Sequence, residues 1–333
     1  MRHFLFGRTG LRVSELFLGG TPFFARGDGE ARRDHRRLLD TYAEAGGNTI
    51  DTASAYGDSE EVLGELLHGE RDRWVLGTKF GLTRDPDDAN AGGTHRRNLA
   101  LSLDRSLRRL RTDRIDVLWV HLWDRNTPIE ETMRALDDAV RAGKVVYTGI
   151  SDSPAWVAAR ADALAEWRDW TPFAGIQVPY NVAAREVERD QLPMAGHLGL
   201  SAAVWRPTAR GALAGAGGGT PSERERAAAR AVAEAAAETG ATPAQVAIAW
   251  TRARRRWVHP IVAASAPDVL KENLGAAGLE LDTEVVARLD AAAAPEPGYL
   301  EAFAAEASPG AFGRVGVEPR TGNRRCGACE PTG

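Results

Sequence analysis

From Glu15 to Ala276 the chain repeats one unit, a short apolar run followed by an amphipathic stretch. The apolar runs are Glu15 to Leu18, Asn48 to Ile50, Trp74 to Thr78, Ile115 to Val120, Val145 to Ile150, Ala174 to Val178, Leu200 to Val204 and Trp257 to Val262. Helical patterns fall at Arg33 to Ala45, Ser59 to Leu67, Thr94 to Leu110, Ile129 to Arg141, Pro154 to Trp167, Ser222 to Glu238, Ala244 to Arg254 and Pro267 to Ala276. Alternation of this kind builds a parallel sheet covered by helices. Eight such units, with no shift in composition between the halves, predict one closed (β/α)8 TIM barrel over residues 1–294. An open doubly wound sheet would carry a Gly-x-Gly-x-x-Gly turn after its first strand, and Gly19-Gly20-Thr21-Pro22 does not supply one.

Local signals fill in the frame. Phe4 to Val13, turning at Arg8-Thr9-Gly10, reads as an N-terminal hairpin. Gly46-Gly47 is a helix stop, Ser59 and Ser153 read as N-caps, and Pro154 suits a first helical position. Thr283 to Ala293 is an extra C-terminal helix, and residues 295–333 form an Ala-, Gly- and Pro-rich tail with little periodicity. This tail and the glycine-rich stretch Gly211 to Pro221 read as flexible. Cys326 and Cys329 in the tail have no second pair with which to hold a structural zinc, so no metal site is expected.

Composition removes several function classes. A formal net charge of −4 gives no basis for nucleic-acid binding. The main basic cluster, Arg252 with Arg254, Arg255 and Arg256, marks a helix end, where cations suit the dipole. No apolar run approaches the ~20 residues of a membrane helix. Met1-Arg2-His3-Phe4 lacks a signal-peptide core. Two cysteines exclude a disulfide-built fold and fit a cytoplasmic location.

Four titratable side chains sit at or just beyond the ends of three successive strands. Asp51 ends the second, with Tyr56 in the loop Thr52-Ala53-Ser54-Ala55-Tyr56-Gly57 behind it. Lys79 ends the third and His121 follows the fourth. A barrel keeps its chemistry at this face. Free tyrosine titrates near pH 10 and is a poor proton donor at neutral pH, but an adjacent ammonium favours the phenolate. A carboxylate holds that ammonium in place, and a histidine can donate to a substrate oxygen. Such a set suits a reaction that builds negative charge on a carbonyl oxygen, as hydride transfer from a nicotinamide does.

With these residues in place, the chain resembles the aldo-keto reductase superfamily from Leu5 to about Leu289. The resemblance implies a catalytic tetrad of Asp51, Tyr56, Lys79 and His121, with Tyr56 as general acid in carbonyl reduction. The family's double-bond reductases carry Glu where His121 stands. The implied activity is NADP-dependent reduction of an aldehyde or ketone, with a polyketide side-chain ketone or a keto-sugar of secondary metabolism as the finer expectation. Potassium-channel β subunits share the fold and a similar tetrad, so a cofactor-binding regulatory subunit is the alternative.

The resemblance also assigns the cofactor site. Gly20 and Thr21 match the loop at the nicotinamide ribose. Ser151 and Asp152 match a Gly-x-Ser-Asn segment whose last two residues hold the carboxamide, here with Asp for Asn; Gln177 matches a third carboxamide contact. Trp205 matches the aromatic that stacks on the ring, and Arg206, Pro207, Thr208, Arg210 and Gly211 match the pyrophosphate loop. Ala263 and Ser265 fall where relatives carry a basic residue for the 2′-phosphate, and Glu272 and Asn273 match an adenine-contacting pair. The uncharged Ala263-Ala264-Ser265 run leaves NAD(H) open beside NADP(H). Phe23, Phe24, Trp123 and Asp124 are the candidate walls of the substrate pocket, and a homo-oligomer stays open. The remaining histidines read as surface groups (His35, His68, His95, His197) or strand-edge residues (His3, His259) without a role.

Overall fold

Residues 1–217 and 220–311 are described by a computed structural model. The hairpin pairs β1 (His3–Leu5) with β2 (Arg12–Ser14), antiparallel, His3 opposite Ser14. The barrel strands are β3 (Phe17–Gly19), β4 (Thr49–Asp51), β5 (Val75–Phe80), β6 (Ile115–Val120), β7 (Val145–Ser151), β8 (Phe173–Pro179), β9 (Ser201–Trp205) and β10 (Val258–Val262). They run parallel, each beside the next, and β10 closes on β3. Helices α1 (Gly29–Glu44), α2 (Ser59–Leu66), α3 (Arg96–Arg109), α4 (Ile129–Arg141), α5 (Ala155–Arg168), α6 (Gln191–Leu198), α7 (Glu223–Thr239), α8 (Pro243–Arg252) and α9 (Pro267–Leu274) surround it. The helices α10 (Thr283–Ala292) and α11 (Tyr299–Ala311) follow. The predicted TIM barrel with its N-terminal hairpin is therefore the fold.

Strand alternation decides what each side chain can do. On β5, Leu76 and Phe80 join the core beneath the helices, whereas Val75 faces the barrel axis. Lys79, four residues on from Val75, faces the same way. On β6, Leu118 and Val120 point outward while Val117 and Trp119 point inward, and His121 continues the inward series. On β5 and β6 the inward positions are apolar at the amino ends, Val75 and Val117, and polar at the carboxyl ends, Lys79 and His121.

The hairpin seals the amino-terminal end. Phe6 packs edge-on against Trp119, with centroids 6.0 Å apart, and Phe17 stacks on the fully buried His259 at 4.9 Å. The chain reaches this plug through Gly7, whose φ is +57° and whose amide donates to Ser201 Oγ at 2.8 Å. A Cβ on Gly7 would lie 2.2 Å from the Ala174 carbonyl oxygen, so only glycine fits.

Several local expectations are corrected. Ser59 is not a cap; it is buried inside the first turn of α2, and its hydroxyl donates to the Gly20 carbonyl at 2.8 Å. Ser153 does not cap α5 either, because Pro154 occupies the N-cap position. His35 is buried rather than on the surface, and its ring packs against Phe23 with centroids 5.3 Å apart. His95 is a helix cap whose ring nitrogen accepts from the Asn98 amide. His259 lies in the closed barrel, where no strand edge exists.

Helix α6 carries little sequence signal, since it has only eight residues and Pro193 and Gly196 interrupt it. Helix α11 stands where an aperiodic tail was expected. Its run of alanines supports a helix, but Pro309 and Gly310 in the sequence mask the pattern. The glycine-rich stretch begins with a short 3₁₀ turn, Ala212–Ala214. Cys326 and Cys329 lie outside the described residues. Arg252 does sit in the last turn of α8, as the basic cluster predicted. No described helix is long and apolar enough to cross a membrane.

Candidate active site

The carboxyl ends of the strands open on a cavity of about 470 Å³. Tyr56, His121 and Asp51 line one end of it, and Ala263 and Asn273 contribute to the wall elsewhere.

Register brings Asp51 and Lys79 together. Asp51 on β4 lies opposite Gly77 on β5, and Lys79 is the next inward position above Gly77. Gly77 leaves room for the carboxylate, because a Cβ there would lie 3.3 Å from Asp51 Oδ1 and 3.2 Å from Trp119 Nε1. The Lys79 ammonium makes a short ion pair with Asp51 Oδ2 and donates to the Thr52 carbonyl at 3.0 Å. Both side chains are buried. The other carboxylate oxygen accepts from Gln177 Nε2 at 3.2 Å.

Tyr56 stands over this pair, with the Lys79 ammonium 5.1 Å from its ring centroid. His121 meets Tyr56 edge-on, ring centroids 5.8 Å apart. Burial, helped by the Lys79 charge, pushes the His121 imidazolium pKa down to about 3. His121 is thus neutral at physiological pH. Its Nδ1 is buried without a hydrogen-bond partner, which leaves Nε2 as the nitrogen open to the cavity.

Opposite stands a polar set. Ser151 at the end of β7 pairs in register with Gln177 on β8, and both line the cavity beside Asp152. Asp152 has φ +42°, its amide donates to the Gln177 carbonyl at 3.0 Å, and its Oδ1 accepts from Trp205 Nε1 at 3.2 Å. The Arg206 guanidinium lies 4.5 Å from the Trp205 ring centroid. Arg206, Ala209 and Arg210 all have positive φ, a strained loop of the kind that collects at binding sites. Asn181 fastens it by donating to the Arg206 carbonyl at 3.0 Å. Burial and the like charge of Arg210 lower the Arg206 pKa, so this loop favours an anion placed against it.

Of the predicted cofactor residues, Gly20, Thr21, Ser151, Asp152, Gln177, Trp205, Arg206, Pro207, Thr208, Arg210, Ala263 and Asn273 line the one cavity. Gly211 follows that loop outside the lining, and Ser265 and Glu272 are exposed away from it. Sequence reading missed Gly19, Ile248, Ile261 and Val262 in the wall. Gly19, Ile261 and Val262 are strand-end neighbours of predicted residues, and that proximity was the available signal. Ile248, on α8, gave none.

The predicted pocket walls fare differently. Phe23 is a core residue with no exposed surface, and Phe24 is exposed outside the cavity lining. Asp124 knits its own loop, accepting from the amides of Thr94 and Asn126 at 3.1 and 2.9 Å. Burial works to raise its pKa, but the Thr127 hydroxyl and these amides outweigh burial and lower it. Trp123, two residues past His121, packs edge-on against Trp156 with centroids 5.4 Å apart, and the Arg125 guanidinium lies 5.5 Å from its ring. Among the described residues no group of three or more His, Cys, Asp or Glu is placed to hold a metal ion.

A phenol backed by a buried ammonium, beside a neutral imidazole, is equipped to protonate an oxygen that gains charge during hydride transfer. A barrel with this site is suited to an NAD(P)H-dependent oxidoreductase. The aldo/keto reductase family model matches residues 15–294. The chain is 35% identical over 316 residues to norsolorinic acid reductase of Emericella nidulans, covering 88% of this chain and 82% of the relative. It is 36% identical over 312 residues to norsolorinic acid reductase A of Aspergillus parasiticus, with 87% and 80% covered. It is 35% identical over 312 residues to the aryl-alcohol dehydrogenase of Phanerodontia chrysosporium named for NADP(+), with 83% and 81% covered. The chain belongs to the aldo/keto reductase family.

The two buried neutral histidines predict an acid sensitivity. Burial holds His259 at about 4 and His121 at about 3, whereas an unfolded histidine titrates near 6.5. Below about pH 6.5 the unfolded chain takes up protons that these folded residues refuse, so their contribution to stability is full above that pH and falls toward pH 4. At ~1.4 kcal/mol per pH unit per group, the pair accounts for about 3–5 kcal/mol lost between about pH 6.5 and 4.5. Urea midpoints across that range measure it, and a His259→Gln variant is expected to show the shallower fall.

Proposed function

We propose that this chain reduces an aldehyde or ketone to an alcohol with NADP(H), and that its substrate is an aryl carbonyl compound of secondary metabolism. The observation that carries the chemistry is Tyr56 over the buried Lys79–Asp51 pair, at the end of the cavity where His121 Nε2 is open. The donor set fits a nicotinamide dinucleotide. Ser151, Asp152 and Gln177 would offer hydrogen-bonding partners to a carboxamide, Trp205 a ring face, and Arg206 and Arg210 positive charge to a diphosphate. When bound, the cofactor supplies the hydride.

The remaining steps belong to the protein. Neutral His121 orients the carbonyl oxygen through Nε2. Tyr56 gives its proton to that oxygen, and the Lys79 ammonium stabilises the charge left on the phenol. Asp51 keeps Lys79 charged and in place. The relatives named for aryl alcohols and norsolorinic acid support the substrate class. The paired rings of Trp123, two residues past His121, and Trp156, in the first turn of α5, lie outside the cavity lining and would offer an aryl group flat apolar surface beside it.

The test is cofactor consumption by the purified protein with aryl aldehydes, aryl ketones and keto-sugars, each with NADPH and with NADH. Faster turnover of aryl carbonyls with NADPH is expected. A preference for NADH would replace the phosphorylated cofactor, in keeping with the uncharged Ala263-Ala264-Ser265 run. No consumption of either cofactor with any carbonyl would overturn the proposal.

A further inference from the structure

Two buried hydroxyls behind the cavity tie its wall to the Lys79 ammonium. We infer that Thr52 and Ser59 are positioning residues for proton transfer from Tyr56, acting through the Thr52 carbonyl that holds Lys79. The inference rests on the carbonyl-reduction reading of the site.

Thr52 and Ser59 have no exposed surface, and neither lines the cavity. Ser59 Oγ donates to the Gly20 carbonyl at 2.8 Å and lies 2.8 Å from Thr52 Oγ1. A serine hydroxyl has one proton, so Ser59 spends it on Gly20 and accepts from Thr52. Gly20, which does line the cavity, lies against both: a Cβ there would sit 2.7 Å from Thr52 Oγ1 and 3.0 Å from Ser59 Oγ. The Gly20 amide donates to the Asp51 carbonyl at 2.7 Å, and the Ser59 amide to the Tyr56 carbonyl at 2.9 Å. The next residue, the buried Glu60, accepts from Thr78 Oγ1 at 2.7 Å, one position before Lys79. The first turn of α2 thus grips the cavity wall at Gly20, the backbone of Tyr56 and the strand that carries Lys79.

The consequence falls on one ammonium. Lys79 Nζ has three N–H groups. One goes to Asp51 and one to the Thr52 carbonyl at 3.0 Å, which fixes the direction of the third and leaves it for the phenol of Tyr56. The Thr52 amide is held by the Gly77 carbonyl at 2.9 Å, and its side chain is held by Ser59. Without the hydroxyl contact the Thr52 carbonyl can turn, and the third N–H turns with it. A misplacement of about 1 Å can cost about 10²-fold in rate.

The experiment uses the whole chain and reads single-turnover reduction, in water and in deuterium oxide, beside thermal melting. The substrate is whichever of the aryl aldehydes, aryl ketones and keto-sugars turns over fastest with NADPH or NADH. Thr52→Val keeps the shape and removes the hydroxyl. It is expected to lower the rate about 10-fold or more and to raise the solvent isotope effect, because a misplaced donor makes proton transfer limiting. Thr52→Ser keeps the hydroxyl and loses the methyl. It is expected to melt lower than the parent yet recover most of its rate and its isotope effect. Where Thr52→Val does not fold, Ser59→Ala carries the test. It leaves the Thr52 hydroxyl and the Gly20 carbonyl without their shared partner and is expected to show the same raised isotope effect. The parent's rate in Thr52→Val, a slow rate with the parent's isotope effect, or equal losses in Thr52→Val and Thr52→Ser would each overturn the inference alone. A parent that reduces no carbonyl with either cofactor would overturn the reading of the site and the inference with it.

Discussion

Tyr56→Phe is expected to lower carbonyl reduction by about 10²–10⁴-fold while cofactor affinity stays near that of the parent. The change removes one oxygen and the proton it carries. The phenyl ring remains edge-on to His121 and above the Lys79 ammonium, so the surrounding packing is kept. Single-turnover rates and cofactor titration measure the two quantities separately. Reduction at the parent rate would remove Tyr56 from the chemistry. A proportional loss of cofactor affinity would make it a binding residue instead.

Lys79→Met is expected to damage stability and turnover together. Lys79 and Asp51 are both buried, so removing the ammonium leaves a carboxylate in the barrel with only Gln177 to answer it. Breaking a buried pair from one side typically costs about 3–5 kcal/mol. The double variant Lys79→Met with Asp51→Asn removes both charges and is expected to regain much of the stability and none of the turnover. Urea unfolding and kcat measure the two effects. A single variant that unfolds at the parent's urea midpoint would show that the pair contributes no net stability. Full activity in the double variant would show that Tyr56 needs no ammonium.

Much of this was legible because strands and helices announce themselves through different periods. The barrel followed from repeated apolar runs, and Asp51, Lys79 and His121 were conspicuous as polar residues ending such runs. What stayed hidden depends on packing between distant segments. Phe23 sits two residues past Thr21, which lines the cavity, yet its ring turns into the core against His35. Ser59 has the composition of a helix cap, but the Gly20 carbonyl, which comes from another loop, takes its hydroxyl. Ile248 enters the cavity wall from α8, far along the chain, and no local pattern marks an outer helix that reaches the mouth. Asp124 looked available to substrate, but the Thr94 amide that engages it belongs to the loop before α3.

The plug of Phe6, Phe17, Trp119 and His259 divides selection pressures along each strand. Substitutions at Phe6, Phe17 or His259 are expected to change how long the molecule survives heat or acid, whereas Trp119, in register with Lys79, joins the plug to the floor of the site. Substitutions in the opposite loops are expected to reshape the cavity mouth without touching Phe6, Phe17 or His259. A lineage with this architecture can therefore exchange substrates many times on one inherited foundation.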